Sequence, residues 1–335
     1  MMELFKDAET LAPAYLFSLA CCDAGIPLML IAPPAGGKTT IIFAIESFYR
    51  DKGEPVRLVS RIGLRGLRKL ADWLNYHRNV VLLNEDYSLI GSSNYMVEKM
   101  AEIVSALSYS KVYIDEGLGV TVRVSRLGFI TGVQPMWIRN IVENPVFATH
   151  IREKFVRYYV LPHKASRDIS MSKAIALLVN GTKNLMERCK ETYDVRFPKE
   201  FLEGLAVQVG FTRAREFADL LSVVLPRFIP REYINRFLKY TAVRLRFEES
   251  FISREVTETG FKVKTFWKGY TGLYWIIRDN KSSHESLRIR LGASSYRSVD
   301  KVLEETFKLG WVTSKVENGR KFFYIAKPIE KLIGW

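Results

Sequence analysis

Apolar residues along this chain come in two kinds of run, short unbroken ones and longer ones spaced by three and four. Residues 26–32 (IPLMLIA) form an unbroken run that ends in a Pro- and Gly-rich turn, which predicts a buried strand. Helical spacing follows over 38–49. A second strand is predicted at 56–61 and a third at 80–83 (VVLL). Between them Leu64, Leu67, Leu70 and Leu74 mark one face of an amphipathic helix over 64–77. Residues 95–107 read as helix. Residues 112–114 and 120–124 flank EGLG and read as a hairpin. Further strands are predicted at 127–133 and 155–161. Strand and helix in alternation imply a mainly parallel sheet with helices on both faces.

The pattern then turns helical from about 166 to 251, punctuated by Pro198, Pro226 and Pro230. It changes again near 264. Helices are expected at 271–279, 283–291 and 295–309, with Val299, Val302, Leu303 and Phe307 facing inward on the last. A hairpin closes the series, and its Asn318-Gly319 suits a type I′ turn.

Composition narrows the function classes. The chain has 335 residues, ordinary apolar content (48%) and a formal charge of +14. Such a positive balance attracts nucleic acid or another anionic surface. Cys21, Cys22 and Cys189 are too few and too scattered for a disulfide framework and suit a reducing cytoplasm. The four histidines lack zinc-ligand spacing. No apolar run has the length of a membrane span, and the acidic start MMELFKDAET does not read as a signal peptide.

Residues 32–39 (APPAGGKT) carry the clearest chemistry. They fit GxxxxGK[ST] with Ala32 in place of the first Gly. Backbone N–H groups must wrap a phosphate closely, so Ala35, Gly36 and Gly37 are small, and the helix that follows turns its positive end to the anion. Lys38 supplies a charge for the β- and γ-phosphates of ATP, the Thr39 hydroxyl reaches Mg²⁺, and Thr40 is counted with them among the nucleotide-binding residues. The apolar strand at 80–83 then runs into Asn84, Glu85 and Asp86. In the strict register Asn84 takes the place of the Mg²⁺-side acid and Glu85 orients the attacking water. A slip of one residue makes Glu85 the metal-side acid and Asp86 the base. Strict register is the preferred reading.

The block 32–161 resembles AAA+ ATPases, above all the branch of the minichromosome-maintenance helicases and related ATPases of phages, archaeal viruses and plasmids. The resemblance lies in the order of motifs: the acidic strand, the helix NYMVEKMAEIVSALS, the hairpin KVYIDEGLGVTVRV and the strand RLGFITGVQP. It implies a hairpin that reaches DNA through Lys111 and Arg123. It implies a polar sensor at Gln134, with Thr131 second. It also implies an arginine finger in IREKFVRYYVL, where Arg152 is preferred over Lys154 and Arg157. In the helical lid Arg215, ahead of Arg213, matches a second sensor. The first strand opens at residue 26, so no counterpart of the large N-terminal DNA-binding domain of those helicases is expected.

The C-terminal series of helix, helix, turn, helix and hairpin resembles a winged helix-turn-helix domain. That likeness implies that Ser295, Tyr296, Arg297 and Lys301 meet the major groove and that Arg320 and Lys321 meet phosphate. Asp300 and Glu304 on the same helix oppose phosphate, and a protein-docking role stands as the alternative. The expected fold class is α/β: a P-loop NTPase, AAA+-like, over 1–164, a helical lid over 165–262 and a winged helix over 263–335. The expected function is an ATP- and Mg²⁺-dependent DNA motor or remodeller in the replication of a mobile element. It would work as a homo-oligomeric ring or filament, with other replication proteins as further partners. The alternatives are an ATP-switched initiator, loader or regulator with little turnover, and a transposition or packaging ATPase.

Overall fold

Strand β1 (Leu28–Ile31) buries all four residues, so it must lie inside a sheet covered on both faces. The computed structural model describes residues 11–60, 64–86, 94–135, 138, 153–162, 170–189, 192–247 and 263–326. Strand β1 joins β2 (Val56–Leu58), β3 (Asn79–Asn84), β6 (Arg126–Val133) and β7 (Val156–Tyr159) in one parallel sheet of order β2-β3-β6-β1-β7.

Side chains alternate across this sheet. Val80 and Leu82 of β3 join one apolar cluster, with Leu70 and Leu74 of α3 (Leu64–His77) and Val104 and Leu107 of α4 (Asn94–Tyr109). Val81 and Leu83 join the other, with Ile41 and Ile45 of α2 (Lys38–Asp51). Each such side chain contributes about 1.5–3 kcal/mol on burial. The two-faced burial thus fixes both the parallel sheet and its helical layers.

One element is absent from the sequence expectations. Helix α1 (Ala12–Ala24) is buried on every side from Ala12 to Cys22. Pro13 starts it, since a first-turn proline gives up no intrahelical bond. At its end Gly25 N donates to Cys22 O and Ile26 N to Cys21 O, closing the last carbonyls. It lies between the sheet and the helices α5 (Met171–Arg188), α7 (Phe211–Val224) and α8 (Arg231–Leu245).

The edge strand β7 is closed by a side chain. Gln208 of α6 (Lys199–Val209) accepts from Arg157 N at 2.6 Å and donates to Arg157 O at 2.8 Å. Its amide takes the place of a neighbouring strand at Arg157.

Strands β4 (Val112–Asp115) and β5 (Val120–Arg123) form the expected hairpin, fastened to its neighbours. Asn75 of α3 accepts from Arg123 N at 2.8 Å and donates to Thr121 O at 2.7 Å. Lys99 of α4 pairs with Asp115 at 2.9 Å.

The C-terminal region holds α9 (Val263–Asp279), β8 (Ser282–Ser283), α10 (His284–Arg290), α11 (Tyr296–Lys308), β9 (Val312–Glu317) and β10 (Arg320–Ile325). The strands form an antiparallel sheet of order β8-β10-β9. Helix α9 starts earlier than its sequence expectation, and β8 was not expected. The turn between β9 and β10 has positive φ at both Asn318 and Gly319, as a type I′ turn requires.

Gly132 in β6 shows how tightly the sheet edge is built. A Cβ there would fall on the carbonyl oxygen of Glu85 and 3.5 Å from Ile42 Cδ1. Gly132→Ala should therefore force the end of β3 outward and cost about 1–3 kcal/mol. Denaturant unfolding checks this, and an unchanged midpoint would contradict it.

Candidate nucleotide-binding site

Four chain segments meet at the carboxyl edge of the sheet: the loop after β1, the ends of β3 and β6, and the N-terminus of α2. Open parallel sheets bind their ligands at this edge, where neighbouring connections diverge. The loop of residues 32–37 turns sharply. Ala35 has φ +59° and Gly37 φ +84°. A Cβ at Gly36 would lie 2.6 Å from Ala32 Cβ and 2.8 Å from Pro33 O, so only glycine fits. A Cβ at Gly37 would collide with the Leu11 side chain, which packs against the loop.

Lys38 opens α2 and is 7% exposed. Its ammonium donates to Pro33 O at 3.0 Å and also to Ala32 O. Burial pulls its pKa from the ordinary 10.5 down to about 8, while the charge of Asp86 acts in the opposite direction. A desolvated cation held by the loop's own carbonyls is poised for a stronger anionic partner. Thr39 and Thr40 follow it, half-buried.

The acidic strand end divides into two kinds of residue. Asn84 is fully buried. Its Nδ2 donates to Val59 O at 2.5 Å, and its Oδ1 accepts from Thr131 Oγ1 at 2.9 Å. Asn84 and Thr131 thus tie β3 to the end of β2 and to β6 inside the sheet. Glu85 and Asp86 are half-buried at the edge. The Asp86 carboxylate accepts from Gln134 Nε2 at 3.1 Å and acts on Lys38. The structure therefore brings Lys38, Asp86 and Gln134 together. The sequence had paired Lys38 with Asn84 and Glu85, and only the slipped register carried the signal for Asp86.

The arginines are placed less centrally. Arg152 lies outside the described residues. Arg157 is buried within β7, and its Nη1 donates to Phe155 O at 3.2 Å. Arg215 is exposed on α7. Arg213, two residues earlier, donates to Glu153 O and lies 4.4 Å over the Tyr109 ring. Burial lowers the Lys154 pKa, and nearby Arg213 lowers it further.

A scan against protein-family models and a search of curated proteins both find no match. The site must therefore be read from its own geometry. Among the described residues no cluster of three or more His, Cys, Asp or Glu side chains is arranged to hold a metal ion. Among the described residues no helix is long and apolar enough to cross a membrane.

The residues expected to meet DNA fall into two groups. Lys111 donates to Ser108 O at 2.7 Å, near the end of α4, and burial lowers its pKa. Tyr296 donates to Glu285 Oε2 at 2.5 Å. Lys321 pairs with Asp300 at 2.6 Å. These three have protein partners. Arg123 on the hairpin, Arg297 and Lys301 on α11 and Arg320 on β10 are exposed. Arg297 and Lys301 are one helical turn apart, so they share a face.

Proposed function

We propose that this chain is an ATP- and Mg²⁺-dependent, DNA-binding ATPase of AAA+ build that acts as a motor or remodeller in the replication of a mobile element. Helices α5–α8 would be its lid and residues 263–326 its winged helix. The observation that carries the reading is the loop at 32–37, closed to side chains at Gly36, with a desolvated Lys38 facing Asp86 across the sheet edge.

The chemistry follows from these groups. Lys38 moves from the loop carbonyls to the β/γ-phosphate oxygens, and the N-terminus of α2 adds its dipole. The Thr39 hydroxyl and Glu85 would hold Mg²⁺, which would supply charge neutralisation to the phosphates. Asp86 would orient the attacking water and accept its proton, with Gln134 Nε2 donating to the Asp86 carboxylate to hold it. This assignment adopts the slipped register because the Asn84 amide is committed within the sheet at both ends. An arginine from a neighbouring copy, in a ring or filament, would complete the charge stabilisation. Arg297, Lys301 and Arg320 would meet phosphate and the edges of bases.

A second reading keeps the strict register: a neutral Asn84 at the metal-side position would suit an ATP-switched initiator or loader that binds nucleotide and turns over little. Steady-state hydrolysis with no DNA, single-stranded DNA and duplex DNA separates the two. For the motor, DNA should stimulate turnover. Asp86→Asn should then lower turnover by about 10²–10⁴-fold with nucleotide affinity retained, while Glu85→Gln should raise the Mg²⁺ requirement. Nucleotide binding without turnover in any condition would select the switch. Full turnover in Asp86→Asn would overturn the role of Asp86.

A further inference from the structure

The C-terminal region touches the sheet at an informative point. Tyr270 of α9 is fully buried, and its hydroxyl lies 2.9 Å from Ile31 O and 2.7 Å from Val160 O. The first carbonyl ends β1 and the second lies one residue past β7, and Val160 N itself donates to Ile31 O at 2.9 Å. One phenol thus straddles two strand ends, 239 positions from Ile31 and 110 from Val160.

Ile31 is the residue before Ala32, whose carbonyl accepts from Lys38. The order of contacts is then Tyr270 to Ile31, Ile31 to Ala32 through one peptide bond, and Ala32 to Lys38. The ring of Tyr270 is held as firmly as its hydroxyl. Tyr159 of β7 packs edge-on at 5.4 Å and Phe247, just beyond α8, at 5.2 Å. Trp311, just before β9, lies 5.8 Å from Phe247. Sheet, helical region and C-terminal region each contribute to this one aromatic cluster, so a shift of α9 is transmitted to the sheet edge through packed rings.

We propose that Tyr270 is a positioning residue for the phosphate-binding loop, through which the C-terminal region responds to nucleotide occupancy. The inference rests on the nucleotide-binding reading above. When Lys38 leaves the Ala32 and Pro33 carbonyls for phosphate, the first peptides of the loop change partners. Their nearest fixed point is the Ile31–Ala32 peptide, whose carbonyl accepts from Tyr270 and Val160 N and whose N–H donates to Val133 O at 3.3 Å; Tyr270 is its one contact from the C-terminal region among the described residues. The coupling runs both ways, as any equilibrium linkage must. An occupant of the C-terminal region that moves α9 would change nucleotide affinity by the same factor.

Hydrogen exchange of the full chain, with and without Mg²⁺ and a non-hydrolysable ATP analogue, tests this. In the wild-type chain nucleotide should slow exchange in the loop and the start of α2. It should also slow exchange around residues 268–277 by about fivefold or more, the lower end of typical coupling. In Tyr270→Phe, which keeps the ring, the loop should still be protected and the response at 268–277 lost. An unresponsive α9 in the wild type, or an equal response in Tyr270→Phe, would overturn the inference. The wild-type arm needs no variant, so it can refute the inference even if Tyr270→Phe does not fold. Absence of protection in the loop itself would instead remove the nucleotide-binding reading, and this inference with it.

Discussion

Lys38→Met should lower ATP affinity by about 100-fold while the chain stays folded, since a charge-assisted contact to phosphate is worth about 1.5–3 kcal/mol. Methionine keeps much of the buried stem of the side chain and removes the charge together with the hydrogen bonds to Ala32 O and Pro33 O. The wild-type protein should also show a pH signature that the variant lacks. In the nucleotide-free chain burial holds the Lys38 pKa down to about 8. Phosphate favours the charged form, so binding takes up a proton above that pH. Affinity should fall as pH rises through about 8, approaching tenfold per unit, and be flat in this respect below it. The stability of the free protein runs the other way. Between about 8 and the ordinary value of 10.5 the unfolded chain binds more protons at this lysine than the folded one, so stability rises with pH. Titration with a fluorescent ATP analogue, alongside thermal unfolding, reads both slopes. Equal pH dependence in wild type and Lys38→Met would show that another group titrates.

Asn84→Asp separates the two registers of the acidic strand by opposite outcomes. If position 84 were the metal-side position, an aspartate there would supply the missing charge and raise turnover. The geometry argues for the reverse. A carboxylate cannot donate to Val59 O, which now accepts from the amide at 2.5 Å, and it would stand fully buried with Thr131 as its only polar contact from the present pair. An uncompensated buried charge costs about 3–5 kcal/mol. The new acid would hold its proton more tightly in the folded chain than in the unfolded one. The loss relative to wild type should therefore deepen as pH rises from the acidic range. Denaturant unfolding at several pH values, with hydrolysis measured in parallel, gives the answer. Higher turnover without lost stability would restore the strict register.

The parts of the fold legible in the sequence were those fixed by neighbours along the chain. Short, mostly apolar runs located the five strands of the parallel sheet, and GGKT after a strand located the loop. The pair Asn318-Gly319 located its turn. What escaped depended on partners far away. Helix α1 is apolar all round, so it has no polar face and offers no helical stripe to read. Asn84 reads as part of an acidic motif until Val59 and Thr131, on two other strands, are seen to hold it. Lys111 and Lys321 look like free cations until the Ser108 carbonyl and Asp300 are placed beside them. Only an order of packing that no local pattern encodes could bring Tyr270 to the end of β1.

The burial of α1 also bears on how the chain is made. This helix leaves the ribosome before the faces that cover it, which belong to β6 and to helices as late as α8. Contacts so distant in sequence form late and slow the search for the native state. Until residue 245 has been synthesised, the apolar surface of α1 lacks part of its cover and is open to association with other chains. A fragment ending near residue 164 would keep that surface permanently. The first half of this protein is thus a layer of a larger body, and its solubility depends on helices encoded far downstream.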